Sequence, residues 1–302
     1  MRFGPFSDRL KTGGALLLDG AMGTELDRRG AHTYLPLWSA LGLINAPDDV
    51  RSIHADYARA GADILVTNTF RSTGRMLVRA DREAEESTTL DHLAVRLARE
   101  AAEQVGSDAL VAGSIAPLED CYSPWLSPDP AIALEEHRRQ ARNLADAGVD
   151  FIMIETMPLI AEAEVAAIAA LETGLEVTVG FVLGDDGKLL SGEDLDRAVS
   201  RIMRQPVSAI FINCTPRPVI TRVLSALREL TDLPIGGYAN LGVVDDSVGW
   251  EIDRTVTGES YGAAAMEWIE AGASIVGGCC GTTPEHIAVL RRTINVGSKA
   301  TQ

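Results

Sequence analysis

No apolar run in the 302-residue sequence reaches the length of about 18 residues that a membrane-crossing helix needs. The first stretch, Met1 to Gly14, has basic residues but lacks the apolar core of a signal peptide. Both absences predict a soluble, cytoplasmic protein. Cysteine is scarce as well: four in so long a chain cannot make a disulfide framework, and in a reducing compartment clustered cysteines more often bind metal or do chemistry. No Pro/Ser/Gly-rich linker, low-complexity tract or break in composition divides the chain, so one domain over 1–302 is expected. Positive charge is in deficit, with 27 Lys and Arg against 43 Asp and Glu and a net charge of −16. Such a field repels phosphates and anionic lipid, so neither nucleic acid nor a membrane is expected as partner, and a small molecule is the default ligand.

Two further absences narrow the chemistry. The five histidines, His32, His54, His92, His137 and His286, form no H-x-H or H-E-x-x-H pair, which argues against a His-rich hydrolytic metal site. The segment Asp19-Gly20-Ala21-Met22-Gly23 holds no complete G-x-G-x-x-G, so a dinucleotide-binding open sheet is weakly supported.

What is present is a recurring phrase. Ala60-Gly61-Ala62-Asp63, Ala147-Gly148-Val149-Asp150 and Ala271-Gly272-Ala273-Ser274 each follow a polar-faced helical pattern and precede an apolar burst. Glycine after the last helical turn takes the left-handed conformation that ends the helix, and the chain then enters a strand buried on both faces. Pro47-Asp48-Asp49 marks a helix start, with Val50, Ile53 and Tyr57 on its buried side up to Arg59. The same reading predicts strands near Leu16 to Asp19, Ile64 to Thr67, Leu110 to Ser114, Phe151 to Glu155, Val177 to Leu183, Ala209 to Asn213, Ile235 to Asn240 and Ser274 to Gly278. Eight such units predict an α/β fold, a single (β/α)8 TIM barrel, with an eight-stranded open doubly wound sheet as the alternative.

In a barrel the working residues sit at the C-terminal ends of strands. Those ends carry Asp19-Gly20, Thr67-Asn68-Thr69, Gly113-Ser114, Glu155-Thr156, Asn213-Cys214, Asn240 and Gly278-Cys279-Cys280-Gly281. Cys214 ends the sixth strand and Cys279-Cys280 the eighth, so three thiols can meet at the rim. Three protein ligands with a fourth position open are the pattern of a catalytic zinc site, and the nearby glycines let two adjacent cysteines turn toward one Zn²⁺ ion. The plainer alternative is that vicinal cysteines are small buried hydrophobes. Cys121, in the loop after the third strand, is read as a non-ligand.

Together with Leu18-Asp19-Gly20-Ala21-Met22-Gly23-Thr24-Glu25, Val66-Thr67-Asn68-Thr69-Phe70, Gly113-Ser114-Ile115-Ala116-Pro117 and Ile154-Glu155-Thr156, the segments Asn213-Cys214 and Gly277-Gly278-Cys279-Cys280-Gly281-Thr282-Thr283-Pro284-Glu285-His286 resemble the homocysteine S-methyltransferase family. That family includes betaine– and S-methylmethionine–homocysteine methyltransferases and the homocysteine module of cobalamin-dependent methionine synthase. The resemblance implies Zn²⁺ on Cys214, Cys279 and Cys280 and the homocysteine amino group near Asp19 and Glu155. It also implies a pocket lined by Asn240, Thr67, Asn68 and Thr69. Asp19 and Glu155 have a plainer reading as helix-capping or loop carboxylates.

The methyl donor is less constrained. Leu37-Trp38-Ser39-Ala40 resembles the segment that members with cationic donors place over the pocket, where an indole face attracts a sulfonium by cation–π contact; Trp38 could equally be core packing. The expected activity is therefore zinc-dependent transfer of a methyl group from S-methylmethionine or a related sulfonium to the homocysteine thiolate, giving methionine. Alternatives are another thiol or selenol acceptor, a methylcorrinoid donor brought by a partner protein, or a zinc-binding or thiol-sensing barrel without turnover. A homo-oligomer is left open.

Overall fold

The computed structural model describes residues 4–245 and 249–300; residues 1–3, 246–248 and 301–302, which include both ends of the domain expected over 1–302, lie outside the described residues. Eight parallel strands form one sheet: β1 (Leu16–Leu17), β2 (Ile64–Val66), β3 (Leu110–Ile115), β4 (Phe151–Met157), β5 (Val177–Phe181), β6 (Ala209–Pro216), β7 (Ile235–Asn240) and, after an antiparallel hairpin of β8 (Gly242–Asp245) and β9 (Gly249–Ile252), β10 (Ala273–Gly278). Their spatial order is β1-β10-β7-β6-β5-β4-β3-β2. The two ends meet, because Asp63 N donates to Leu17 O at 2.7 Å and Asp19 N to Ile64 O at 3.0 Å. The sheet is thus a barrel, as the sequence predicts, and the open-sheet alternative falls.

Each strand is followed by a helix that covers the outside: Pro47–Arg59, Glu86–Gln104, Pro130–Ala147, Ile160–Leu171, Leu195–Ile202, Arg217–Leu230, Gly258–Glu270 and Pro284–Ala300. Among the described residues no helix is long and apolar enough to cross a membrane. At the joints Gly61, Gly148 and Gly272 have φ of 97°, 88° and 101°, the left-handed turn that the Ala-Gly phrase predicts. The aspartate that follows has its own task. Asp63 Oδ2 accepts from Leu17 N at 2.8 Å and pairs with Arg291, while Asp150 Oδ2 accepts from Val111 N at 2.6 Å and from Arg99 Nη1 at 2.7 Å. Each thereby satisfies an amide at the second residue of the preceding strand and ties it to a helix on the outside.

The strands separate two apolar regions. Ile152 and Ile154 of β4 pack outward against the helices, while Phe151 and Met153 point into the lumen with Leu16, Leu18, Ile64, Ala112, Phe211 and Ile275. The N-terminal helix Pro5–Leu10, which the sequence reading did not foresee, plugs the bottom of this lumen. Phe6 is fully buried with its ring centroid 4.7 Å from that of Phe151. Glu176 takes the Phe6 and Ser7 amides at 3.0 and 3.1 Å, supplying a negative charge at the helix start.

Since the plug lies at the end opposite the strand termini where the sequence places the functional groups, its loss should cost stability and leave that rim intact. Phe6→Ala is expected to lower the unfolding free energy by about 3–5 kcal/mol, read by chemical denaturation, with the activity that the sequence resemblance implies changed by less than about twofold at 25 °C; a drop in rate matching the loss of stability would overturn the separation.

Candidate active site

At the opposite end, the strand termini surround a cavity of about 340 Å³. The inward period of two carries polar groups toward it: Leu110-Ala112 leads to Ser114 on β3, behind the wall, and Phe151-Met153 leads to Glu155 on β4, which lines it. Glu155 is 8% exposed and doubly anchored, with Ser114 Oγ donating to Oε1 at 2.5 Å and Tyr238 OH donating to Oε2 at 2.9 Å. Burial pushes its carboxyl from 4.5 up to about 7; the two hydrogen bonds oppose this and the neighbouring Asp19 adds to it. Asp19, at the end of β1, is raised by burial too, against the lowering influence of His54, whose Nδ1 lies 3.8 Å from Oδ2. Asp19 Oδ2 also accepts from Val66 N at 3.0 Å. Two buried carboxylates sharing one cavity make a receptor for a cation, since a positive group relieves both penalties.

The thiols reach the same cavity by a backbone device. Strict alternation along β6 would set Cys214 on the face opposite Phe211, but the strand is bulged between Asn213 and Thr215 and Cys214 adopts φ of 49°. β4 is bulged between Ile154 and Met157, with Thr156 at φ of 62°. Both non-glycine residues are in the left-handed region, a strain held in place by one side chain. Asn213 Oδ1 accepts from Thr156 N at 3.0 Å and Asn213 Nδ2 donates to Thr156 Oγ1 at 2.7 Å; Thr156 Oγ1 in turn donates to Cys214 Sγ at 3.4 Å. Across the cavity Cys279 N donates to Ala239 O at 3.1 Å, Leu241 N donates to Cys280 O at 2.8 Å, and Gly281 turns away with φ of 87°.

Cys214, Cys279 and Cys280 all line the cavity, and the sulfurs of Cys214 and Cys279 are 2.6 Å apart. That is closer than the separation of about 3.8 Å between two sulfurs on a tetrahedral zinc with bonds of about 2.3 Å. Consistently, no group of three or more His, Cys, Asp or Glu side chains among the described residues stands in a ligating arrangement. The donor set is gathered, and a shared ion requires the two sulfurs to part by about 1 Å. The Cys214 thiol is pushed well up, first by its contact with Cys279 and then by burial. All four cysteines are free, and Cys121 is buried at the cavity wall.

The remaining sequence-predicted residues divide. Asp19, Thr67, Asn68 and Trp38 line the cavity; Thr69 and Asn240 do not stand on its wall. Thr67 and Thr69 share a hydroxyl contact at 2.8 Å and clip β2 to β3 through Ser114, whose N donates to Thr67 Oγ1 at 3.0 Å and whose O accepts from Thr69 Oγ1 at 2.7 Å. Asn240 Nδ2 donates to Cys214 O at 2.9 Å, bracing that cysteine from behind. Trp38 packs on Gly23, where a Cβ would come within 2.5 Å of the indole, and meets the Phe70 ring edge-on at 6.3 Å. Sequence reasoning missed Tyr238 and Ser114 as the partners of Glu155; the inward alternation of β3 carried a signal for Ser114. It also missed Phe70, Arg71 and Tyr122 on the wall.

A family model described as Homocysteine S-methyltransferase matches residues 16–294. The chain is 35% identical to the homocysteine S-methyltransferase of Escherichia coli (strain K12), covering 91% of this chain and 94% of that protein. It is 31% identical to the selenocysteine methyltransferase of Astragalus bisulcatus over 96% of each. Among solved structures, the metallated form of the homocysteine methyltransferase MmuM from Escherichia coli superposes with a TM-score of 0.83 at 32% identity, covering 95% of this chain and 99% of that one.

The raised carboxyl of Glu155 has a thermodynamic signature. Between 4.5 and about 7 the folded state binds a proton at Glu155 that the unfolded chain has released, so stability falls as pH rises through that window. Thermal melts of the ligand-free protein should show this decline, and Glu155→Gln should flatten it; an equally steep decline in the variant would place the titration elsewhere.

Proposed function

The chain belongs to the homocysteine S-methyltransferase family, and on that footing we propose that it is a zinc-dependent enzyme of the cytoplasm, one domain over 1–302, that moves a methyl group from S-methylmethionine or a related sulfonium to homocysteine. The observation that carries this is the meeting of a carboxylate pair and three soft sulfur donors in one cavity. The four free cysteines fit a reducing compartment.

Cys214, Cys279 and Cys280 would hold the Zn²⁺. The donor set fits it: two buried thiols and a partly buried third, crowded on one wall, resist ionising together, and soft sulfur selects a metal such as zinc. The chemistry zinc supplies in such a site is a lowered thiol pKa, so that a substrate sulfur is nucleophilic at neutral pH without a general base. Asp19 and Glu155 take the homocysteine ammonium, and Ser114 and Tyr238 fix the Glu155 oxygens that receive it. Trp38, braced by Phe70 and Gly23, offers its indole face to the sulfonium. In the transfer one sulfonium S–CH3 bond breaks and one S–CH3 bond forms on homocysteine; the thiol proton leaves to solvent and the donor departs as a neutral thioether. With S-methylmethionine both products are methionine. The likeness to a selenocysteine methyltransferase supports a selenol as a second acceptor of the same site.

The zinc-loaded protein incubated with homocysteine and a panel of methyl donors should form methionine with a sulfonium; absence of methionine from every donor would remove the proposal. Cys214→Ser should lose most bound zinc by elemental analysis, whereas full retention would refute the ligand assignment. Asp19→Asn and Glu155→Gln should each raise KM for homocysteine by about 10–100-fold, the worth of one charged hydrogen bond, while zinc content stays at the wild-type level.

A further inference from the structure

The cavity is lined by three carboxylates, Asp19, Asp120 and Glu155, and, among its described residues, by a single cation, Arg71, in a chain of net charge −16. Arg71 is 7% exposed, yet the partners of its guanidinium within the protein are poor. Nη1 reaches only the thioether of Met76 at 3.7 Å, Nε has no hydrogen-bond partner, and Nη2 stands 3.5 Å from Asp120 Oδ1 without a hydrogen bond between them. Asp120 is engaged in its own turn, accepting from Tyr122 N at 3.3 Å on Oδ1 and from Ser123 Oγ at 2.8 Å on Oδ2. The guanidinium carbon lies 5.9 Å from the centroid of Phe70, the ring that also supports Trp38. A buried cation with an unused donor is costly unless a ligand completes it, and a guanidinium fork matches a carboxylate.

We propose that Arg71 is the carboxylate anchor of the cavity, a specificity-determining residue that receives the α-carboxylate of an amino-acid substrate. This rests on the reading of the site as a homocysteine methyltransferase, in which acceptor and sulfonium donor are both amino acids bearing an ammonium and a carboxylate, the donor with its sulfonium charge besides. Asp19 and Glu155 take an ammonium at one side and Arg71 a carboxylate at another, so the cavity has the two polarities of its ligands. A cation beside an aromatic corner would repel a simple sulfonium. Its presence selects a sulfonium that brings its own negative charge.

Calorimetric binding to the zinc-loaded protein tests this without requiring turnover. Homocysteine is compared with 3-aminopropane-1-thiol, and S-methylmethionine with (3-aminopropyl)dimethylsulfonium, each pair differing only in the carboxylate. In the wild type, loss of the carboxylate should weaken at least one pair by about 10–100-fold. Arg71→Met should abolish that difference for the same pair and leave the affinity of the carboxylate-free ligand within about threefold of wild type. Arg71→Lys, which keeps the charge and loses the planar fork, should recover part of it. The pair that responds identifies whose carboxylate is held. If both ratios are unchanged in a folded Arg71→Met protein, Arg71 is a structural partner of Asp120 and the proposal falls. Should the wild type bind homocysteine with an Arg71-dependent carboxylate preference yet make methionine from no donor, the anchor stands and the functional reading fails instead.

Discussion

The side-chain amide of Asn213 holds the ends of β4 and β6 in their bulged, left-handed conformations, and the orientation of Cys214 follows from that bracket. Without it, β6 would continue its pleat and turn Cys214 away from Cys279 and Cys280. The amide is fully buried and donates and accepts in one direction, so it cannot be exchanged for a carboxylate or an apolar group without an unpaired polar atom. Asn240 completes the support by donating to Cys214 O. Neither side chain needs to touch a substrate for the site to depend on it.

Electrostatics at the rim follow from burial more than from ion pairing. Asp19 and Glu155 are raised by desolvation, their neighbours only partly compensate, and each becomes comfortable as an anion only when a positive group enters. The surrounding protein is strongly acidic, which keeps anionic metabolites at a distance while a zwitterion carries no net charge to repel. Arg71 gives the cavity its opposite pole. The thiol cluster is a third demand on the same space, and crowding of Cys214 on Cys279 shows how closely the backbone has brought the sulfurs together.

Much of this was readable in one dimension. The Ala-Gly joints announced helix ends because only a residue without Cβ takes φ near 90–100° freely, and the apolar bursts announced strands buried on both faces. The hairpin β8–β9 and the plug carrying Phe6 were not readable: their strands and helix are short, and what stabilises the plug is Phe151 and Glu176, far along the chain. Thr69 and Asn240 sit at strand ends as the cavity-lining residues do, yet they brace the wall from behind, a distinction that rim position alone does not encode.

Local order in the chain therefore determined the barrel, the strand ends at which chemistry collects and the identity of the sulfur and carboxylate groups, because turn chemistry and apolar periodicity act between neighbours in sequence. Tertiary structure alone decided which of those groups face one another. Ser114 and Tyr238 meet on Glu155, Asn213 bends Cys214 toward Cys279, and Arg71 enters the cavity beside Phe70, each through contacts between strands or loops that closure of the barrel brings together. Closure depends on the whole sheet, and so side-chain direction at its rim cannot be assigned from any one segment.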